Sequence, residues 1–276
     1  MDEFKPPTLP TLQVLWQDEF LIAIHKPAGW LVHRTGLDAG ETRFVVQTLR
    51  AQLGGRHVFP VHRLDKGTCG VLLLALDADT ARRVGLSFMN HEVDKRYIAL
   101  VRGWAPEALE VDHPLRPDDA PPETPAQPAR TLFKRLARLE WPDSPDPCFA
   151  TARASLVEAR PLTGRRHQIR RHLKHLAHPI LGDATHGKGP LNRWWASQLG
   201  HQRLWLHAGE LSLRHPYSGQ PLTLRSGLHW NDAGGLVVAS AEPPHADLHH
   251  WTELTRRIPR ADPADQVSAL LAPPRG

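Results

Sequence analysis

The longest uninterrupted run of apolar residues in the chain covers positions 71–76, Val-Leu-Leu-Leu-Ala-Leu. It is bounded by Gly70 and Asp77. A continuous apolar run of this length between turn residues is typical of a strand buried on both faces. The pattern therefore predicts a rigid central strand, with a polar turn immediately before it.

Shorter patterns predict the elements around this strand. Apolar runs at residues 12–16 and 21–24 predict two strands, joined by a polar turn at 18–19. Helical spacing of apolar residues predicts a helix over 42–53, which ends at a pair of glycines. Further along, we expect a helix over 81–89 capped by Asp79, strands from Tyr97 and around 131–141 and 154–159, a helix in the basic segment after residue 164, and a short element at 248–258.

Seven prolines fall between residues 105 and 129. Because proline removes a backbone donor and disfavours helix and central strand, this stretch is predicted to be a surface loop insertion without regular structure. We interpret residues 1–232 as one domain that contains this insertion. Residues 233–276 are then a C-terminal tail of unknown role.

Positive charge is modest overall but clustered. The chain of 276 residues has 34 Lys and Arg against 29 Asp and Glu, a formal net charge of +5. Five of the cations fall within ten residues: Arg165, Arg166, Arg170, Arg171 and Lys174. Such a cluster can neutralise several phosphates of a nucleic acid, although a lone basic run is more often a solvated helix face.

The cysteines and the apolar pattern indicate the compartment. Cys69 and Cys148 are far apart and offer neither a disulfide framework nor metal-ligand spacing. The sequence has no leader-like segment and no long uncharged apolar span. We therefore expect a reduced cytoplasmic environment and no membrane partner.

Asp65 stands in the polar turn before the predicted central strand. Arg63, Lys66 and the donors of Thr68 surround it in sequence, and opposite charge with hydrogen bonding favours an ionised carboxylate. A carboxylate held in this state can act as a nucleophile or stabilise a cation. On these residues alone, a structural turn or salt bridge is the more common explanation.

Residues 62–70, His-Arg-Leu-Asp-Lys-Gly-Thr-Cys-Gly, resemble the HRLD-x-x-T-S-G motif of the RluA-type pseudouridine synthases, in which the Asp is catalytic. Cys69 stands where that family usually has Ser, and is most simply a small residue packed at the strand start. Four further segments resemble family motifs in the family's order, and five ordered motifs are much more specific than one. These segments are residues 18–33, 95–103, 161–183 and 207–216.

The resemblance implies an α+β pseudouridine synthase fold. Its mixed, mostly antiparallel central sheet is flanked by helices and carries the active site in a central cleft. Residues 1–232 would form this catalytic domain, and we expect a monomer whose catalytic domain itself holds the RNA.

The resemblance also implies the chemistry. Uridine in RNA is isomerised to pseudouridine, and no cofactor or metal is needed because no atoms are gained or lost. Asp65 is the expected catalytic residue, either by attack on the sugar carbon or by removal of a ribose proton. Arg170 is expected to pair with Asp65, and Tyr97 to stack on the uracil with its hydroxyl as a candidate general acid or base.

Substrate binding is expected from residues near these three. Arg63, by resemblance, fills the space that an extruded base vacates, since a base inside folded RNA must leave its stack to react. The complete expected set is Lys26, His62, Arg63, Thr68, Arg165, Arg166, Arg171 and Lys174.

Which RNA is modified follows from a narrower similarity. Arg171 and the Asn192-Arg193 pair are similar to members of the family that act on uridine 65, on the acceptor and TΨC side of tRNA. A 23S ribosomal RNA pseudouridine synthase is the alternative within the family. From other classes, a non-catalytic RNA-binding protein and a histidine-rich metal protein using His172, His175 and His178 stay open, though no carboxylate or Cys completes that ligand set.

Overall fold

A ten-stranded mixed sheet forms the centre of the protein in the computed structural model, which describes residues 10–34, 40–121, 123–231, 235–238 and 246–256. The strands of this sheet are β1 (Val14–Gln17), β2 (Leu21–Lys26), β3 (Phe59–Pro60), β4 (Cys69–Ala75), β5 (Asp94–Arg102), β6 (Ala108–Asp112), β7 (Arg130–Trp141), β8 (Ala152–Pro161), β9 (Leu206–Arg214) and β10 (Pro221–Arg225). Strands β11 (Leu228–Trp230) and β12 (Leu236–Val238) form a separate two-stranded sheet.

The strand order is β1-β2-β4-β9-β5-β8-β7-β6, with β3 added to β4 and β10 to β9. Every pairing is antiparallel except that of β4 with β9, where Cys69 and Gly70 lie opposite His207 and Ala208. The predicted mixed, mostly antiparallel sheet is therefore confirmed.

Strand β4 is buried over its whole length, as its continuous apolar run predicts. Successive side chains of a strand point to opposite faces, so each face needs its own cover. Leu72 and Leu74 pack in one cluster with Val45 and Leu49, whereas Leu73 packs on the other side in the cluster that contains Val84.

Five helices cover the sheet: α1 (Val45–Gln52), α2 (Ala78–Met89), α3 (Gln168–His175), α4 (Gly189–Leu199) and α5 (Ala246–Thr255). The predicted cap of the second helix is wrong. Asp77, not Asp79, is the N-cap, and it accepts a hydrogen bond from the Thr80 backbone N–H at 2.8 Å. Asp79 lies in the first turn and pairs with Arg83 instead.

The prediction that 105–129 lacks regular structure is wrong for Ala108–Asp112. This segment forms the edge strand β6 beside β7. The strand is possible because Pro106 and Pro114 lie just outside its ends, where no ladder hydrogen bond is lost. The rest of the insertion is closed by paired backbone hydrogen bonds between Leu115 and Gln127, at 2.8 and 3.0 Å.

Helix α5 packs on the main core. Leu248, Trp251 and Leu254 are buried, and the Trp251 ring meets that of Trp205 edge-on at 5.1 Å between centroids. The division of the chain at residue 232 stays a prediction.

Candidate active site

A cavity of about 610 Å³ opens across the middle of the sheet. Its size is within the range of ordinary ligand sites. The walls come from the turn before β4, the end of α2, strand β5 and the segment leading into α3: Val61, His62, Arg63, Leu64, Asp65, Thr68, Gly85, Phe88, Met89, His91, Lys95, Tyr97, Pro161, Thr163, Gly164, Arg165, Arg166, His167, Gln168, Ile169, Arg170 and Leu206.

The turn that carries Asp65 is fixed by the strand that follows it. Gly70 adopts φ +112°, and a Cβ there would lie 2.2 Å from the carbonyl oxygen of Ala208. Only glycine therefore permits this close approach of β4 to β9. Within the turn, the Thr68 backbone N–H donates to the carbonyl of Asp65 at 3.1 Å.

Lys26 holds the same turn from below. Its ammonium donates to the carbonyl oxygens of Pro27, Lys66 and Thr68 at 3.0, 3.2 and 2.7 Å. The residue is fully buried, and burial lowers the pKa of its ammonium to about 8. These contacts contradict the predicted substrate contact of Lys26, because its three donors already face protein carbonyls.

Arg170, in the first turn of α3, meets two carboxylates. Its Nη1 donates to Asp65 Oδ2 at 3.1 Å, whereas Nε and Nη2 donate to the two oxygens of Asp183 at 2.8 Å each. Arg170 and Asp183 are both buried, and the Asp65 side chain retains 19% of its exposure. The contact that the resemblance implies between Asp65 and Arg170 is thus present, in a partly desolvated site where a charge-assisted pair is strong.

Asp183 was not among the predicted site residues. The available signal was its place in the Gly182-Asp183 pair that ends the fourth matching segment. Burial alone would raise the pKa of the Asp183 carboxyl, but hydrogen bonds from Arg170 and from the His186 backbone N–H hold that pKa below its usual value.

Tyr97 lines the cavity from β5, between Ala159 of β8 and Ala208 of β9. Burial, with the nearby charge of Asp65, raises the pKa of its hydroxyl well above the usual value. The hydroxyl therefore stays protonated near neutral pH and can donate a proton or a hydrogen bond.

Three further predicted residues reach the cavity. Thr68 is buried in its wall and Arg63 is exposed at its edge. The His62 ring lies 4.9 Å from that of Phe88, stacked, and its Nε2 accepts a hydrogen bond from the Leu73 backbone N–H at 3.0 Å. Burial, then the charge of Lys95, lowers the pKa of His62 to about 3.

His167 is a cavity residue that the sequence reasoning missed. It adopts a left-handed backbone conformation, φ 55°, which is uncommon for a non-glycine residue and places its ring near Asp65. Its Nε2 lies 3.8 Å from Asp65 Oδ2 and its Nδ1 lies 3.1 Å from Asp118 Oδ2. Burial lowers the pKa of this imidazole, so the ring is predominantly neutral at pH 7.

The predicted basic surface is partly covered by the insertion between β6 and β7. Asp118 forms ion pairs with Arg171 at 3.2 Å and with Arg166 at 3.8 Å, and Asp119 also pairs with Arg166. Arg171 donates in addition to the carbonyl of Arg116 at 2.6 Å.

The other two cations of this surface differ. Arg165 donates to the carbonyl of Pro128 at 3.1 Å, and Lys174 is exposed. The insertion thus supplies acidic partners that the sequence pattern of the basic segment did not reveal.

The histidines of the proposed metal alternative are engaged separately. His172 bonds to Thr131 and to the carbonyl of His113, His175 stacks on the His113 ring at 4.1 Å, and His178 donates to the carbonyl of Arg102. Each has its own local partner, so these contacts give no support to a shared metal.

A different group of potential ligands lies behind the catalytic turn. Donor atoms of His25, Cys69 and Asp247 lie within 4.8 Å of one another. The guanidinium of Arg203 already donates to Cys69 Sγ at 2.8 Å and pairs with Asp247 at 2.9 Å. A cationic side chain therefore supplies the positive charge of this group, and the residues do not fit a metal. Cys69 itself is a fully buried residue at the start of β4.

Within the part of the chain that the structure describes, every helix is too short or too polar to cross a lipid bilayer.

Comparisons with known proteins agree with this site. The family model described as RNA pseudouridylate synthase matches residues 20–175. The tRNA pseudouridine synthase C of Vibrio cholerae is 50% identical over 224 residues, which are 79% of this chain and 91% of that protein.

Two solved structures have the same architecture. Human RNA pseudouridylate synthase domain containing 4 superimposes with a TM-score of 0.59 at 28% identity, covering 77% of this chain and 87% of that one. Human RNA pseudouridylate synthase domain containing 1 does so with a TM-score of 0.62 at 22% identity, covering 94% of this chain and all of that one. The second likeness concerns the fold alone.

Proposed function

Because this chain belongs to the RNA pseudouridylate synthase family, we propose that it converts uridine to pseudouridine in transfer RNA. Membership confirms the fold and the enzyme class that the five sequence motifs imply. The observation that carries the choice of tRNA is the 50% identity to the Vibrio cholerae protein, which extends over 91% of that relative.

We further propose the uridine at position 65, on the acceptor and TΨC side of tRNA, as the target. The support is the similarity of Arg171 and of the Asn192-Arg193 pair to family members that act there. In the fold, Asn192 accepts from the Gly182 backbone N–H at 3.1 Å and donates to the carbonyl of Asp183 at 2.8 Å. Asn192 therefore serves to shape the turn beside the cavity.

Asp65 is proposed as the catalytic residue. Its partly exposed carboxylate opens into the cavity, and Arg170 stabilises its negative charge through the 3.1 Å contact. The carboxylate either attacks the anomeric carbon of the ribose or removes a ribose proton while the glycosidic bond breaks. Uracil then turns in the pocket, and its carbon 5 is joined to the same sugar carbon, so the product has the composition of the substrate.

Tyr97 is proposed to stack on the uracil and to take part in the proton transfer at carbon 5. Its ring lies in the cavity wall, and its hydroxyl is protonated for the reason given above. A protonated hydroxyl can hydrogen bond to the detached base or supply a proton, which is the role of a general acid.

The edge of the cavity fits an extruded nucleotide. Arg63 is exposed there and is proposed to occupy the space that the uridine leaves, while Arg165, Arg166, Arg171 and Lys174 bind phosphates. His62 and Thr68 complete the wall around the base. Unstacking costs a few kcal/mol, which phosphate contacts and an inserted side chain offset.

The test is modification of unmodified transcripts by the purified protein. A tRNA transcript should acquire one pseudouridine at position 65, and the same transcript with cytidine at that position should acquire none there. A 23S ribosomal RNA fragment serves as the competing substrate. Preferential modification of that fragment would overturn the tRNA assignment, and binding of RNA without modification of either substrate would favour a non-catalytic protein.

A further inference from the structure

We propose that Asp183 is a positioning residue, whose carboxylate orients the guanidinium of Arg170 so that Nη1 points at Asp65. This inference rests on the proposed catalytic role of Asp65. Asp183 and Arg170 form a two-point contact, with Nε to Oδ2 and Nη2 to Oδ1 at 2.8 Å each.

A two-point contact fixes a planar group. The guanidinium of Arg170 is rigid, so two parallel bonds along one edge fix both its plane and its rotation. The remaining nitrogen, Nη1, then has one direction available, and in that direction it meets Asp65 Oδ2 at 3.1 Å. A single contact would leave the long arginine side chain free to swing away from Asp65.

Asp183 is itself held rigidly. Its Oδ1 accepts hydrogen bonds from the backbone N–H groups of Thr185 at 3.0 Å and His186 at 2.8 Å. The preceding residue, Gly182, adopts φ +74°, and a Cβ there would lie 1.7 Å from the carbonyl oxygen of Arg203. The turn therefore cannot shift outward, and the carboxylate has a fixed position from which to orient Arg170.

Burial makes this arrangement sensitive to a single change. The Asp183 side chain is fully buried and that of Arg170 is 8% exposed, so water cannot replace a lost contact. In Asp183→Asn the carbonyl oxygen can still accept from Thr185 and His186, which preserves the turn. Its amide nitrogen, however, would face the Nε–H of Arg170, and two donors cannot bond to each other.

The test is a double-mutant cycle of Asp183→Asn and Arg170→Lys, with turnover measured at saturating tRNA. Asp183→Asn should lower kcat about a hundredfold and change KM less than about threefold, since a displacement of about 1 Å at a reacting group can cost that much. In the Arg170→Lys background the same change should alter kcat less than about threefold, because an ammonium has no planar fork to orient. Asp112→Asn, at an exposed carboxylate of β6, is the matched control and should behave as the wild type.

Two results would overturn the inference: a kcat for Asp183→Asn within threefold of the wild type, or equal losses from that change in both backgrounds. The second would mean that Asp183 acts without Arg170, for example on the fold alone. Circular dichroism and thermal unfolding identify a misfolded variant, in which case Asp183→Glu enters the same cycle with the same expected dependence on Arg170. If the wild type modifies ribosomal RNA instead of tRNA, the tRNA assignment fails and the cycle is measured on that RNA.

Discussion

Asp65 and Arg170 are 105 residues apart in the chain, and their side chains meet with Nη1 of Arg170 3.1 Å from Oδ2 of Asp65. The contact joins the turn before the central strand to the first turn of α3. It is partly exposed on the Asp65 side and buried on the Arg170 side. The chemistry proposed for this cavity depends on that asymmetry, since a reacting carboxylate must be accessible to substrate while its partner is held in place.

Asp65→Asn should abolish pseudouridine formation and leave tRNA affinity within a few-fold of the wild type. The substitution keeps the shape of the side chain and removes the charge and nucleophilicity of the carboxylate. Release of tritium from carbon 5 of labelled uridine measures the reaction, and filter binding measures affinity. Activity above trace level in the variant would exclude Asp65 as the catalytic residue.

Arg170→Met should both stop turnover and destabilise the fold. The variant leaves the fully buried Asp183 without its charged partner, and breaking a buried pair in this way costs about 3–5 kcal/mol. Urea unfolding should detect that loss. The neighbouring Arg171→Met is the comparison for stability, because its partly exposed pair with Asp118 is worth at most about 1 kcal/mol. Equal stability losses in the two variants would contradict the burial argument.

Tyr97→Phe should separate stacking from proton transfer. The ring remains, so tRNA binding should change little, whereas turnover should fall about 10²–10⁴-fold if the hydroxyl acts as a general acid. Because burial raises the pKa of Tyr97, ionisation of the wild-type hydroxyl should not appear in the rate profile between pH 6 and 9. A variant with wild-type turnover would limit Tyr97 to packing against the base.

Asp118→Asn should strengthen tRNA binding at low salt. Asp118 pairs with Arg166 and Arg171, and its carboxylate would compete with RNA phosphates for them. Each additional phosphate contact should steepen the dependence of log affinity on log salt by about 0.7–0.9. Asp112→Asn, on the same insertion but at β6, is the control. Unchanged affinity and slope in Asp118→Asn would show that these arginines do not bind phosphate.

His62 should contribute to acid sensitivity of the fold. Its pKa is about 3 in the folded protein and about 6.5 in an unfolded chain, so the unfolded chain binds more protons between these values. The stability contributed by neutral His62 is therefore present above about pH 6.5 and is lost as pH falls towards 3. His62→Gln should lose less stability than the wild type between pH 7 and 4.5, as measured by thermal unfolding. An equal loss in both proteins would mean that other groups control this transition.

Local patterns were sufficient for much of the fold. The run 71–76 identified a buried strand because no amphipathic arrangement can accommodate six consecutive apolar residues, and helical spacing located α1 within a few residues of its bounds. Boundary signals were weaker. Asp77 and Asp79 are both acceptable caps in sequence, and only the folded backbone decides which one meets the Thr80 N–H.

The sequence by itself determined the family, the central strand and the residues of the expected catalytic set, because motifs and apolar periodicity are properties of consecutive positions. The tertiary structure decided what those residues face. Lys26 proved to be buried against three carbonyls, Asp183 proved to be the second partner of Arg170, and Asp118 proved to cover the basic surface. The physical reason is that burial and ion pairing depend on distances between side chains brought together from separate segments, and no local pattern records those distances.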